Sequence, residues 1–273
     1  MTRIAGDNSY YTFIALDWVG DPVEGTEIRF ESITSVIKSV TGGGWGPGSY
    51  RGFKLGIRSQ HPRMSDERIE QLYTKAKRGE WDPNRQLKAA GDRGTKAHWV
   101  AESVALGYEA RTWTYMDEEM GRTRLLVRMV PDDPFMDGYC VAALAYLRDR
   151  VGANRDLIWG VEKLLVSTKH QVAGTADLIL KDTGSGSGMV EIIDYKTHKP
   201  NTLKRPAFWN DFLQLEGYEL LFEEMHPELT VTRSTVVVLR EDGTYLEETR
   251  PWTNHEGFLA ILEAHRAQKE AME

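Results

Sequence analysis

The stretch MVEIIDYKTHKP, residues 189–200, starts as a β-strand and ends as something else. Val190, Ile192 and Ile193 are the branched apolar side chains of a buried strand. Asp194 and Lys196 follow two residues apart, which puts an acid and a base on one face of a sheet. Pro200, a helix breaker, closes the stretch. Taken alone, Asp194 and Lys196 make a surface ion pair of small energetic worth.

The neighbouring segments say which sheet this strand joins. Runs rich in β-branched and aliphatic residues at about 158–166, 171–181 and 189–197 are joined by the short polar STKH and DTGSGSG connections, and read as an antiparallel meander. A helix over about 206–225 crosses to a strand at 231–239, and a final strand and a helix at 255–271 close the chain. Meander, crossover helix and further strand define an α/β (α+β) fold, a central mixed β-sheet flanked by helices.

Upstream, residues 9–40 read as short strands followed by SITSVIKSV, and the glycine-rich TGGGWGPGSYRG carries an aromatic and a basic residue suited to facing a substrate. SDERIEQLYTKAKR, residues 65–78, has an N-cap serine and helical periodicity, and further helices are expected over 93–106 and 134–150. The run EARTWTYMDEEMGRTRLLVRMV fits no element clearly. These features divide the chain into an amino-terminal appendage, 1–85, packed on a core of 86–273.

Composition narrows the chemistry. The 273 residues, with 41% hydrophobic and 27% charged side chains, are enough for a globular chain with an ordinary core. No run of eighteen apolar residues appears and the polar start MTRIAGDNSYYT lacks a secretion signal, which points to a cytoplasmic chain that does not enter membranes. A single cysteine, Cys140, cannot by itself hold a zinc or iron–sulfur centre, so any metal would have oxygen and nitrogen ligands. The net charge of −7 excludes a broad basic surface but not a locally basic cleft.

With a loop of roughly six residues between the last two meander strands, Asp177 in GTADLIL falls opposite Asp194. Two carboxylates side by side repel unless a positive charge sits between them, and hard divalent ions such as magnesium or manganese favour carboxylate oxygen. Two helical pairs stand at i,i+4 spacing, His98 with Glu102 and Gln214 with Tyr218. Taken singly they read as a hydrogen-bonded histidine and an amphipathic helix edge. The HxxxE pattern differs from HExxH, so it adds nothing for peptide hydrolysis.

In order and spacing, GTKAH (94–98), GTADL (174–178), IIDYKT (192–197) and QLEGY (214–218) resemble the RecB-like branch of the PD-(D/E)xK nuclease superfamily, over roughly residues 90–240. The resemblance implies a restriction-endonuclease-like core and a metal-dependent nuclease. His98, Asp177, Asp194 and the Tyr195 backbone carbonyl would ligate one or two Mg2+ or Mn2+ ions, with Lys196 as the catalytic lysine beside Asp177 and Asp194. Gln214 and Tyr218 would steady the site and the DNA backbone, with Glu102 and Glu162 as helpers. SITSVIKSV and the tryptophan-bearing loop after it are similar to bacteriophage members. Relatives with an iron–sulfur cluster carry four cysteines, so this chain resembles the cluster-free members, and it has no GxxxxGK[ST] phosphate loop.

Phosphate contacts are expected from Arg51, Lys54 and Arg58 and from Lys199, Lys204 and Arg205. The function implied is an exonuclease acting on single-stranded or duplex DNA ends in phage-type recombination, replication or repair, with a possible recombination partner protein. An endonuclease of the same fold and a non-catalytic nucleic-acid-binding module are the alternatives.

Overall fold

The computed structural model describes residues 2–4, 10–14, 28–41, 64–78, 83–108, 110–117, 122–129, 138–184, 186–197, 209–251 and 254–271. The glycine-rich loop, Arg51, Lys54, Arg58, Lys199, Lys204 and Arg205 lie outside the described residues.

Strands β1 (Thr2–Ile4), β2 (Tyr10–Ile14) and β3 (Ile28–Ser32) precede α1 (Ile33–Thr41), α2 (Asp66–Lys77) and α3 (Pro83–Ala105). A hairpin, β4 (Ala110–Asp117) and β5 (Arg122–Met129), leads to α4 (Gly138–Arg150). The meander β6 (Ile158–Ser167), β7 (Val172–Lys181) and β8 (Met189–Thr197) is followed by α5 (Trp209–Met225), β9 (Thr230–Leu239), β10 (Tyr245–Pro251) and α6 (Glu256–Glu270).

Among the described residues the central sheet is mixed and eight-stranded, in the order β1-β2-β3-β7-β8-β9-β10, with β6 also paired to β7. Strand β8 sits inside it, antiparallel to β7 and parallel to β9, the direction reversal that the crossover helix α5 permits. Being covered on both faces, β8 alternates between two cores. Val190 and Ile192 pack with α1, α5 and α6, while Ile193 and Tyr195 pack with α3 and α4. Strand β9 alternates likewise, Val236 and Val238 to the first layer, Val237 and Leu239 to the second.

Two connections position the site. Strand β6 runs along one side of β7, whereas the other side is shared by β3, which pairs at Val172 and Ala173, and β8, which pairs from Leu178 to Lys181. The sheet therefore forks on β7 between Gly174 and Asp177. Tyr218 and Ile33 fill the fork, and a Cβ on Gly174 would stand 2.5 Å from the Tyr218 ring.

The meander, the crossover and the carboxy-terminal elements lie within a few residues of where the sequence places them. Helix α3 begins at Pro83, ten residues before the expected start, because proline is well tolerated in the first turn of a helix. Helix α4 starts at Gly138, where a Cβ would lie 1.8 Å from the Glu241 carbonyl oxygen. The unassigned run forms the β4–β5 hairpin; Arg122, Arg124 and Arg128 interrupt the apolar pattern of its second strand. Strands β1–β3 join the same sheet as the meander, and the 85/86 boundary falls inside α3. No helix among the described residues is long and apolar enough to cross a membrane.

Candidate active site

The β7–β8 ladder ends at Leu178 opposite Ile193, one step before Asp177 and Asp194. Where the strands part, the Tyr195 N–H donates to Asp177 Oδ2 at 2.6 Å instead of to a strand carbonyl. On the other side, the β6 register between Val161 opposite Leu178 and Lys163 opposite Ala176 sets Glu162 across from Asp177. Three acids from three adjacent strands, Asp194, Asp177 and Glu162, thus form a row at the fork. Glu162 has φ of 44°, a left-handed conformation that costs a non-glycine residue on the order of 1–3 kcal/mol and collects at functional sites.

Helix α3 brings His98 over this row. Its Nδ1 is 3.2 Å from Asp177 Oδ1 and 3.9 Å from Glu162 Oε1, and its Nε2 is 3.1 Å from the Tyr195 carbonyl oxygen. With Nε2 donating to that carbonyl, Nδ1 faces two carboxylates: it donates to Asp177 while the imidazole is protonated and offers a lone pair once that proton is displaced. The ligand atoms of His98, Glu162 and Asp177 all lie within 4.8 Å of one another. One imidazole nitrogen and two carboxylate oxygens fit a hard divalent cation, and the Tyr195 carbonyl orients the imidazole from behind.

A second arm comes from α5. Lys196 Nζ forms an ion pair with Asp194 Oδ2 and donates to Gln214 Oε1 at 3.1 Å. The Gln214 amide nitrogen donates to Asp194 Oδ1 at 3.0 Å and to the Tyr218 hydroxyl oxygen at 2.5 Å. One amide thus holds both the acid and the lysine of DYK, and Tyr218, packed on Gly174, holds the amide.

Charge at the row is unbalanced. Burial pushes the Asp194 carboxyl up to about 7, with Lys196 pulling down and Asp177 pushing further up. Burial also lifts Glu162 to about 7, aided by the Asp177 charge. Burial alone would lower His98, but Asp177 beside it, with Asp194, raises the imidazole to about 9. Asp177 is held below the usual carboxylate range: burial opposes this, and His98 and Lys196 outweigh it. Lys196 is raised, since Asp194 and then Asp211 offset its burial.

The sequence-derived residues His98, Asp177, Asp194, Lys196, Gln214 and Tyr218 meet at one place. Glu102, one turn beyond His98, is half-buried, and its charge adds to the rise at Glu162. Glu162 stands closer to the His98–Asp177 pair than a helper would, whereas Asp194 is turned to Lys196 and Gln214. Asp211, buried in the first turn of α5, was not picked out from sequence; its i,i+3 spacing to Gln214 places both on one helix face.

A mixed sheet that forks at a row of acids, with a histidine above and a lysine beside it, defines a metal-competent acidic centre. The sequence profile of the PD-(D/E)XK nuclease superfamily matches residues 67–272, more than half of the chain. The chain belongs to that superfamily, and its sheet is the restriction-endonuclease-like core. No curated protein matches it. Among solved structures it is similar to SSO0001 at 16% identity and a TM-score of 0.31, over 46% of this chain and 55% of that one. It is also similar to a chain described as "Putative exonuclease" from Eubacterium rectale, at 8% identity and a TM-score of 0.39, over 87% of this chain and 78% of that one.

Proposed function

We propose that the protein hydrolyses phosphodiester bonds in DNA with Mg2+ or Mn2+ at this centre, and that it works from strand ends as an exonuclease. The observation that carries this reading is the row Asp194, Asp177 and Glu162 under His98, an excess of acid with the ligand atoms of His98, Glu162 and Asp177 within 4.8 Å of one another. His98, Asp177 and Glu162 would hold the ion, while the Tyr195 carbonyl fixes the imidazole from behind and Asp194 stands next to them, held by Lys196 and Gln214. When bound, such an ion acidifies water and offsets phosphate charge. Lys196 stands beside the acids with its ammonium proton-rich, and stabilises negative charge on the phosphate as the bond breaks. Gln214 keeps Lys196 and Asp194 in their mutual geometry, and Tyr218 keeps Gln214.

Arg51, Lys54, Lys199, Lys204 and Arg205, which lie outside the described residues, are the phosphate contacts this reading proposes. The modest basic complement of a chain with net charge −7 suits a short contact with a strand end better than a long duplex. A role in phage-type recombination, replication or repair, with a recombination partner, fits that activity.

The test is to incubate linear and closed-circular single- and double-stranded DNA with the protein and Mg2+ or Mn2+, with Lys196→Ala as control. Loss of linear strands only, absent in the variant, is the expected result. No cation-dependent cleavage, or equal cleavage by the variant, removes the nuclease reading; closed circles cut as readily as linear strands remove the exonuclease reading.

A further inference from the structure

His98 is followed on α3 by Trp99, and the helix sends the two in different directions. Successive residues turn by about 100°, so Ala97, Val100 and Ala101 are buried toward α4 while Gly94, His98 and Glu102 share the row that looks to the end of β8. Trp99 stands on the flank beyond that row, away from the core and 38% exposed. Its indole forms no hydrogen bond and no ring stack among the described residues. Leu106 and Tyr108, at the end of the helix and in the turn after it, are the next exposed apolar side chains.

The rim of the centre lies little more than a quarter turn of α3 from the indole. The side chains of His98 and Glu162 keep 29% and 31% of their exposure, against 8% for Asp177 and 2% for Asp194. A substrate strand therefore reaches the acids over His98 and Glu162, and the indole stands one residue from the first of them. We infer that Trp99 is a stacking platform for an unpaired base next to the bond being hydrolysed, which makes single-stranded nucleic acid the preferred substrate; this rests on the phosphodiesterase reading above. Away from its ends a duplex has both faces of every base already stacked, so beside the reacting bond a free face for an indole is found on an unpaired base. Stacking also supplies attraction that needs no positive charge, which matters in a chain of net charge −7.

The test uses wild type, Trp99→Ala and Trp99→Phe with two DNA probes, a short oligothymidylate and a blunt duplex of equal length. Binding is read by fluorescence anisotropy in EDTA, and cleavage by steady-state kinetics with Mn2+. Trp99→Ala is expected to weaken oligothymidylate binding on the order of tenfold and to raise KM with kcat little changed. Trp99→Phe is expected to recover most of the loss, and duplex binding to stay the same. Unchanged oligothymidylate binding in Trp99→Ala, or an equal loss on both probes, overturns the stacking role while wild-type cleavage leaves the nuclease reading intact. A wild-type protein that neither binds nor cleaves either probe overturns both.

Discussion

Strand β8 carries two buried acids three residues apart, and they are answered in opposite ways. Glu191 accepts from Arg150 at 2.6 Å and Thr235 Oγ1 at 2.5 Å and pairs with Arg233 at 3.0 Å, while nearby Asp182 accepts from Thr232 at 2.6 Å. Two arginines thus serve two acids. At the other end Asp194, Asp177 and Glu162 have Lys196 and His98, and both Asp194 and Glu162 are pushed up to about 7, burial being the first cause. Burial of acid alone does not mark a site. Burial without enough cation does, because such charge is stable only when something positive is added.

The sharpest break between the two ends is in activity. Lys196→Ala or Asp177→Asn is expected to lower kcat by on the order of 10²- to 10⁴-fold, with the thermal transition kept in Asp177→Asn and lowered in Lys196→Ala, which strips the buried Asp194 of its partner, as read by nucleotide release and by scanning calorimetry. Glu191→Ala should do the reverse. Removing it leaves Arg150 without its acid and Arg233 with Asp182 alone, and destabilises the fold by about 3 kcal/mol, the low end for a buried pair because both arginines reach solvent. Denaturant unfolding measures that loss, and cleavage per folded molecule stays near wild type.

The smallest effect has the most telling sign. Glu162 is raised from 4.5 to about 7, so the folded chain holds that proton more tightly than the unfolded one. Ionisation between those values therefore works against folding, and the handicap is complete above about pH 7. Glu162→Gln should raise the melting temperature at pH 8 in EDTA by a few degrees, roughly the effect of 1 kcal/mol, and leave it unchanged at pH 4. A lower melting temperature at pH 8 would mean that the row is not short of positive charge.

Much of this contrast could be read from sequence at one end and little at the other. The register that sets Asp177 against Asp194 follows from strand lengths and a short loop, and the same-face argument for Asp194 and Lys196 holds because both reach Gln214 on α5. Gly174 was visible only as a letter in GTADL; its reason is the Tyr218 ring, which arrives from a helix forty residues later. Glu162 was the harder case. Its distance to His98 depends on a left-handed backbone and on pairing with β7, and neither leaves a local trace in VEKLL. The β4–β5 hairpin escaped for a related reason, since its arginines break the period that would have announced it. Nor does the pairing of β3 to β7, a parallel contact between segments far apart in the chain, have any local sequence signature.

The central claim is that the fork of the sheet holds a divalent cation between His98, Asp177 and Glu162. Equilibrium binding of Mn2+ at pH 8, followed by electron paramagnetic resonance of the free ion, tests it most directly. Wild type should take up Mn2+ in a stoichiometric ratio, and Asp177→Asn should lose at least a tenfold share of that affinity, as loss of a single ligating carboxylate implies, on the order of 1.4 kcal/mol. Wild-type protein that leaves Mn2+ free, or Asp177→Asn that binds it equally well, would contradict the account.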